Sequence, residues 1–164
     1  MIPYSRQSIN NKDIAEVVKV LKSNFLTQGP KVNIFEKKIL ELVKAKFSVA
    51  CNSATSALHL ACLSLNLKPK DIVWTVPNTF VASVNCAINC GAKVDFVDID
   101  PDTWNISIEK LEEKLRLAKK RRMLPKILIP VHFAGQPTEQ KKIFLLAKKY
   151  KFKIIEDASH SIGG

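Results

Sequence analysis

The sequence has few glycines, few cysteines and little arginine. Five glycines occur among 164 residues, and neither the GxGxxG nor the GxxxxGK[ST] phosphate loop is present. The cysteines form no CxxC pair and no zinc spacing, so we expect reduced core residues at Cys51, Cys62, Cys86 and Cys90. No apolar run approaches the roughly 20 residues of a membrane span, and the start has no apolar signal region. We therefore expect a cytoplasmic protein without a metal site.

The charge is strongly positive, with 26 lysines and arginines against 15 acids and a net charge of +11. Only four of the basic residues are arginines: Arg6, Arg116, Arg121 and Arg122. The lysines are spread over the polar faces of nearly every predicted helix, whereas nucleic-acid surfaces usually cluster basic residues on one face. This pattern argues against nucleic-acid binding. A basic surface could also attract an anionic substrate such as a nucleotide.

The order of apolar segments predicts an α/β protein. An extended arm over 1–9 precedes two amphipathic helices, one near 11–23 and one ending near Lys46. Buried strands are then predicted near 47–51, 72–76, 93–97, 126–131 and 152–156, and the helices between them near 54–66, 79–90, 107–120 and 138–150. Strands separated by helices indicate a mostly parallel sheet with helices on both faces, a three-layer α/β/α architecture.

The segment after the last strand has the densest group of polar side chains. Asp157 and His160 follow a buried strand, where ligands of open α/β sheets bind. The alternative is that Asp157 caps a turn and His160 is a surface residue. Taken alone, the motif does not decide between the two.

Earlier turns offer further groups to the same edge. Asn52 to Leu58 places small hydroxyl residues at a helix start, where free N–H groups form a cup for phosphate. Ser53 or Thr55 could equally be a plain N-cap. Phe80 lies at the next helix start and could instead be a core residue, and His132 could simply satisfy a backbone carbonyl. The convergence of these turns with Asp157 is stronger evidence than any one of them.

The loop from Asp98 to Asp102 resembles a calcium loop, with acids at positions 1, 3 and 5 and Glu109 at position 12. Thr103 stands where the required glycine would be, and a strand precedes the loop in place of a helix. We therefore reject calcium and expect the loop to lead to Ser107 as the next N-cap.

Five motifs in this order resemble one enzyme family over essentially the whole chain: TQGP, NSATSAL, PNTF, VHFAGQ and EDASHSIGG. The chain is similar to the DegT/DnrJ/EryC1/StrS sugar aminotransferases, which are fold-type I enzymes dependent on pyridoxal phosphate (PLP). The resemblance implies that residues 1–164 comprise the N-terminal arm and helices and most of the PLP-binding large domain, without the small C-terminal domain. It also implies a homodimer when the protein is full length.

The resemblance assigns roles to the candidate residues. Ala54, Thr55 and Ser56 would hold the PLP phosphate, and Phe80 would stack on the pyridine ring. Asp157 would pair with the pyridine nitrogen. His160 would lie near the ring 3-oxygen and the imine.

A second set of residues, Tyr4 and the segment Asn24, Phe25, Leu26 and Thr27, matches the part of the family that touches the nucleotide-sugar. Tyr4 to Arg6, together with Leu26 to Gly29 and the NSATSAL motif, further resemble the branch acting in pseudaminic acid biosynthesis. That branch aminates C4 of a UDP-linked 4-keto-6-deoxy N-acetyl sugar, and L-glutamate is the usual amino donor of the family. Alternatives within the family are another nucleotide-sugar C3 or C4 aminotransferase, a PLP-dependent sugar dehydratase with histidine at the lysine position, and a non-catalytic member.

The lysine that forms the Schiff base in the family lies downstream of the aspartate motif, and no lysine follows Asp157 here. We therefore expect this lysine beyond Gly164 and expect the 164-residue chain to have no transaminase activity by itself. Incubation with PLP, ¹⁵N-labelled L-glutamate and a UDP-4-keto sugar should yield no labelled amino sugar by mass spectrometry. Turnover by the purified chain would contradict this expectation.

Overall fold

The computed structural model describes residues 6–163, which form two compact units within Met1–Ala50 and Cys51–Gly164. Tyr4 lies outside the described residues. The first unit is helical and the second contains the sheet. No helix in the described part of the chain is long and apolar enough to cross a membrane.

The first unit contains the two predicted amphipathic helices, α1 (Asn11–Leu21) and α2 (Pro30–Val43). Asn10 begins α1 with a capping box, because its side chain accepts from the first-turn N–H groups while Asp13 accepts from the backbone of Asn10. Gly29 ends the connecting loop and Pro30 is the first residue of α2, where its missing N–H costs no hydrogen bond. Both helices are therefore confirmed, with slightly earlier ends than expected.

The strand predicted at 47–51 is wrong. These residues have no strand assignment, and Phe47 and Val49 are 86% and 77% exposed. A strand requires backbone pairing with a neighbour, but the N–H of Ala50 donates to the carboxylate of Glu36 at 2.7 Å. The segment is apolar, but no described strand pairs with it.

The second unit alternates helices and strands as predicted. Its helices are α3 (Ala54–Ser64), α4 (Ala82–Ile88), α5 (Ile108–Arg121) and α6 (Gln140–Tyr150), and its strands are β1 (Ile72–Thr75), β2 (Lys93–Phe96), β3 (Ile127–Leu128) and β4 (Lys153–Ile154). All strand pairs are parallel. Ser107 caps α5 through its hydroxyl, as expected. The α/β fold is thus confirmed.

The sheet separates two apolar clusters, which give the unit its three layers. One cluster joins α3 and α4 to one face: Leu58, Cys62, Val73, Ala82, Cys86, Ile127, Ile129 and Ile155 are among its members. The other joins α5 and α6 to the opposite face and includes Trp74, Val76, Leu111, Leu115, Leu128, Ile143 and Leu146. Neighbouring strand residues such as Val73 and Trp74 point to opposite clusters because side chains alternate along a strand.

The strand order is β2-β1-β3-β4, so the chain reverses its direction of travel at β1. From β1 it moves outward to β2, and then it returns to the other side of β1 to form β3 and β4. In open α/β sheets, the crevice at such a reversal, outside the carboxyl ends of the strands, is where ligands bind. The fold therefore places the candidate site between the turns that follow β1 and β3.

Candidate functional site

Asp157 lies at the carboxyl edge of the sheet, three residues after β4. Its N–H donates to the carbonyl of Pro130 at 3.0 Å, and its carbonyl accepts from the N–H of His132 at 3.1 Å. These bonds extend the pairing of β3 and β4 past their last regular residues. The side chain is buried, with 7% exposed. The prediction that this acid follows a strand is therefore confirmed, although Lys153 of β4 is exposed and Ile154 is only half-buried.

Three donors hold the carboxylate of Asp157. Ser83 Oγ, on α4, donates to Oδ2 at 2.7 Å. Ser159 donates to Oδ1 from its Oγ at 2.7 Å and from its N–H at 3.3 Å. A buried carboxylate without partners is costly, so these bonds are what permits its burial. They also fix the orientation of the acid.

The N-terminus of α3 lies at the same edge. Asn66, just after α3, accepts from Lys126 Nζ at 2.5 Å, which ties the end of the helix to the start of β3. The helix therefore runs against the strands, and its first turn faces the carboxyl edge. Ser53 caps α3 by accepting from the N–H of Ser56 at 3.2 Å, so the plain N-cap reading is correct.

The cap does not use all the donors of the first turn of α3. The first four N–H groups of a helix have no intrahelical partner. The N–H groups of Ala54 and Thr55 have no hydrogen-bond partner within residues 6–163. Ala54 and Thr55 are exposed and Ser56 is half-buried. The phosphate role expected of these three residues is compatible with the cap but stays a prediction.

Phe80 ends the turn between β1 and α4 and is 74% exposed. The alternative that it packs in the core is wrong. The same turn is anchored by Asn78, whose Nδ2 donates to the carbonyl of Trp104 at 2.8 Å in the loop after β2. An aromatic ring with open faces next to the crevice suits stacking on a flat ligand.

The turn after β3 is held by buried polar residues. Asn105 bridges it to the loop after β2, because Oδ1 accepts from the N–H of Phe133 at 3.0 Å and Nδ2 donates to the carbonyl of Gln136 at 2.9 Å. His132 is 3% exposed and its Nδ1 accepts from the N–H of Thr138 at 3.0 Å. His132 thus pairs with a backbone donor, not with the carbonyl suggested by the sequence.

His160 is exposed and directly follows Ser159, the last residue of the turn that hydrogen-bonds to Asp157. Its carbonyl lies against Gly135, where a Cβ would approach that oxygen to 3.0 Å. Gly135 has a φ of +88°, which side-chain-bearing residues rarely adopt. The turns after β3 and β4 are therefore in close backbone contact. Whether His160 faces a cofactor stays a prediction.

Asn24 to Thr27 belong to the first unit, in the exposed loop between α1 and α2. Phe25 and Leu26 line a cavity of about 230 Å³ together with Gly29, Lys19 and Lys31. Both lysines also bind the carboxylate of Glu16, at 2.5 and 2.6 Å. Hydrogen bonds from Lys19 and Lys31 lower the pKa of Glu16 to about 2. The contact of Asn24 to Thr27 with the substrate stays a prediction.

The cysteines are all free, but they are not all core residues. Cys62 and Cys86 are buried between α3 and α4, as expected. Hydrogen bonding with Cys86, together with burial, raises the pKa of Cys62. Cys51 is exposed and Cys90 is half-buried, so the expectation of a core position is wrong for Cys51.

Sequence reasoning missed Ser83 and Thr79. Ser83 is fully buried, and its hydroxyl lies 2.9 Å from that of Thr79 and 2.7 Å from Asp157. A signal was present, because Ser83 is the only polar residue on the buried face of α4, among Ala82, Cys86 and Ala87. Its partner could not be read from the pattern, since Asp157 lies 74 residues away.

Comparison with known proteins gives a family match over nearly the whole chain. Residues 7–164 match the DegT/DnrJ/EryC1/StrS aminotransferase family. A UDP-4-amino-4,6-dideoxy-N-acetyl-beta-L-altrosamine transaminase from Campylobacter jejuni (strain 81-176) is 46% identical over 163 residues, which are 99% of this chain and 42% of that protein. The chain spans about two fifths of the length of the curated relatives that it matches.

Solved structures agree with the fold. A DegT DnrJ EryC1 StrS aminotransferase from Brucella abortus superposes with a TM-score of 0.86 at 34% identity, over 92% of this chain and 40% of the other. NtdA from Bacillus subtilis, with bound cofactor pyridoxamine phosphate (PMP), gives a TM-score of 0.83 at 30% identity, over 94% of this chain and 35% of the other. These likenesses identify the sheet and its helices with a PLP-type aminotransferase fold.

The residues at the carboxyl edge suit PLP or its amine form, PMP. The edge offers a buried carboxylate for a ring nitrogen, an exposed ring for stacking and unpaired N–H groups with hydroxyls for a phosphate. Backbone N–H groups at a helix N-terminus bind phosphate without a cationic side chain. The donor set therefore matches the three chemical parts of the cofactor.

The contact between Gly135 and His160 gives a stability prediction. Gly135→Ala and Gly163→Ala both place a side chain at a positive φ, which costs about 1–2 kcal/mol. Only Gly135→Ala also forces its Cβ against a backbone oxygen, whereas nothing lies within 4 Å at Gly163. We expect Gly135→Ala to lower the free energy of unfolding in urea more than Gly163→Ala does. Equal effects would contradict the close packing of the two turns.

Proposed function

Because the chain belongs to the DegT/DnrJ/EryC1/StrS aminotransferase family, we propose that it forms the PLP-binding portion of an enzyme that aminates a nucleotide-linked keto sugar. Solved members of this family hold PMP, the cofactor form that carries the amino group. The observation that carries the proposal is the buried carboxylate of Asp157 at the carboxyl edge of the sheet, where Ser83 of α4 holds it. The proposal assigns this acid to the pyridine nitrogen.

The cofactor, when bound, supplies an electron sink for chemistry at the amino carbon. Asp157 would hold a proton on the ring nitrogen, because a nearby carboxylate favours the protonated ring. Phe80 would cover one ring face, and the first turn of α3 at Ala54, Thr55 and Ser56 would bind the phosphate. His160 would contact the ring oxygen. Each role uses a group that lies in one of the turns at the carboxyl edge.

The proposed substrate is a UDP-linked 4-keto-6-deoxy N-acetyl sugar that receives the amino group at C4, with L-glutamate as donor. Identity of 46% to the altrosamine transaminase supports this choice over other sugars of the family. In the first unit, the segment from Asn24 to Thr27 would contact the nucleotide-sugar. The adjoining cavity supports this role, because it combines apolar walls with Lys19 and Lys31, which suit a ring and a diphosphate.

The cofactor assignment is tested by fluorescence titration of the purified chain with PMP. PMP is the probe because its amine forms no imine with surface lysines. We expect saturable binding that weakens about 10- to 100-fold in Asp157→Asn, since hydrogen bonds to charged groups contribute about 1.5–3 kcal/mol. Phe80→Ala should weaken it about tenfold through lost stacking.

The matched control is Asp102→Asn, which alters an exposed acid in the loop after β2. It should bind PMP as tightly as the unaltered chain. Absence of saturable binding by the unaltered chain, or equal losses in the Asp102 and Asp157 variants, would contradict the assignment of Asp157 to the cofactor.

The substrate assignment is tested by saturation-transfer NMR with UDP-N-acetylglucosamine and dTDP-glucose as stable probes. We expect stronger transfer to the UDP sugar, and we expect Phe25→Ala to reduce it at least threefold because an aromatic wall of the cavity is lost. Phe47→Ala removes a ring that is even more exposed, 86% against 62% for Phe25, and that does not line the cavity; it should leave transfer unchanged. Equal transfer to both nucleotides, or equal losses in both variants, would argue against the UDP-sugar proposal.

A further inference from the structure

A hydrogen-bonded path of two hydroxyls leads from the β1–α4 turn to Asp157. Thr79 Oγ1 and Ser83 Oγ are 2.9 Å apart, and Ser83 Oγ lies 2.7 Å from Asp157 Oδ2. Ser83 is fully buried and Thr79 is half-buried. The path therefore runs through the interior from α4 to the turn after β4.

The count of protons fixes the direction of the path. A serine hydroxyl has one proton, and an ionised carboxylate is only an acceptor. Ser83 donates its hydroxyl proton to Asp157. Its oxygen must therefore accept the hydrogen bond from the hydroxyl of Thr79. Both O–H groups then point toward the carboxylate.

The count of acceptor positions shows which oxygen is still open. A carboxylate offers about four lone-pair positions, two on each oxygen. Oδ1 already accepts both the hydroxyl and the N–H of Ser159, whereas Oδ2 accepts only from Ser83. Within the described residues, the remaining position is on Oδ2, the atom that Ser83 holds.

We propose that Ser83, supported by Thr79, is a positioning residue that fixes the rotation of the Asp157 carboxylate so that Oδ2 accepts the ring nitrogen of the cofactor. This inference rests on the proposed function of Asp157. It adds to that function the residue that orients the carboxylate, Ser83, and the carboxylate oxygen that contacts the ring nitrogen, Oδ2.

Ser83 can do this because it is anchored outside the turn that it orients. Ser159 is two residues from Asp157 and belongs to the same turn, so its bonds hold the carboxylate within that turn, and in the described part of the chain only the bond from Ser83 joins the carboxylate to another element. Ser83 belongs to α4, and its N–H donates to the carbonyl of Phe80 at 3.1 Å. Ser83 thereby links the carboxylate to the backbone of the residue that carries the proposed stacking ring.

A purely structural role explains Ser83 less well. Alanine is a better helix former than serine, and the other buried positions of α4 are apolar. A hydroxyl at a fully buried position has to find a partner or lose stability. The partner here is the buried carboxylate at the carboxyl edge, which indicates that the hydroxyl serves Asp157.

The test compares PMP binding by the full chain with Ser83→Ala and Thr79→Val. We expect PMP affinity to fall about tenfold in Ser83→Ala, and about threefold in Thr79→Val, which removes a hydroxyl at nearly constant shape. Thr79→Ser restores the hydroxyl and should recover most of the affinity. Ser64→Ala, which removes a local bond to the carbonyl of Ala61 on the exposed side of α3, is the matched control and should be unchanged.

A spectroscopic readout separates positioning from structural support. The absorbance band of PMP differs between protonated and unprotonated pyridine, so the bound spectrum reports how well the ring proton is held. We expect Ser83→Ala to shift this band toward the unprotonated form at saturating PMP. A variant that only loosens the fold would lower the melting temperature of the free chain without moving the band.

The outcomes distinguish the two proposals. If the unaltered chain does not bind PMP, or Asp157→Asn binds it normally, the proposed function of Asp157 fails. If Asp157→Asn weakens binding while Ser83→Ala and Thr79→Val leave affinity and spectrum unchanged, the positioning role of Ser83 is overturned and that of Asp157 stands. Should Ser83→Ala not fold, the contrast between Thr79→Val and Thr79→Ser decides alone.

Discussion

Burial of one carboxylate is the constraint on which the rest of the second unit depends. Asp157 is 7% exposed, so protein groups must replace the water molecules that would otherwise solvate its carboxylate. Its backbone takes its partners from the residues after β3, and its side chain takes one from α4 and two from its own turn. Strand pairing, the placement of α4 on one face and the turn after β4 must therefore all be correct at once.

The reversal of strand order explains why the polar groups meet where they do. The turns after β1 and β3 follow adjacent strands, and a half-buried and a buried asparagine join them to the loop after β2. Asn78 makes the link for the first turn and Asn105 for the second. These bonds satisfy backbone groups that the short strands leave unpaired, and they hold the edge in shape without a metal or a disulfide among the described residues.

Much of this could be predicted from the sequence, because the apolar periods of the helices and of four strands are local. Ser107 as a cap and Asp157 after a strand are of this kind. Two features were out of reach. The strand at 47–51 failed because strand formation depends on a partner, and the N–H of Ala50 bonds to Glu36 instead. Ser83 was missed because its role depends on a hydrogen bond to Asp157, which lies 74 residues away in the sequence.

Part of the positive charge of the chain has a structural explanation in the ends of two helices. Basic residues fill the last turns of α5 (Lys119, Lys120 and Arg121) and α6 (Lys148 and Lys149), where cations suit the helix dipole. These helices run against the strands, so their ends lie at the amino edge, opposite the carboxylate. A phosphate at the carboxyl edge would then be bound by the N–H groups and hydroxyls at the start of α3. Backbone donors of this kind fix the position of an anion, whereas flexible lysines on the far edge could only attract it from a distance.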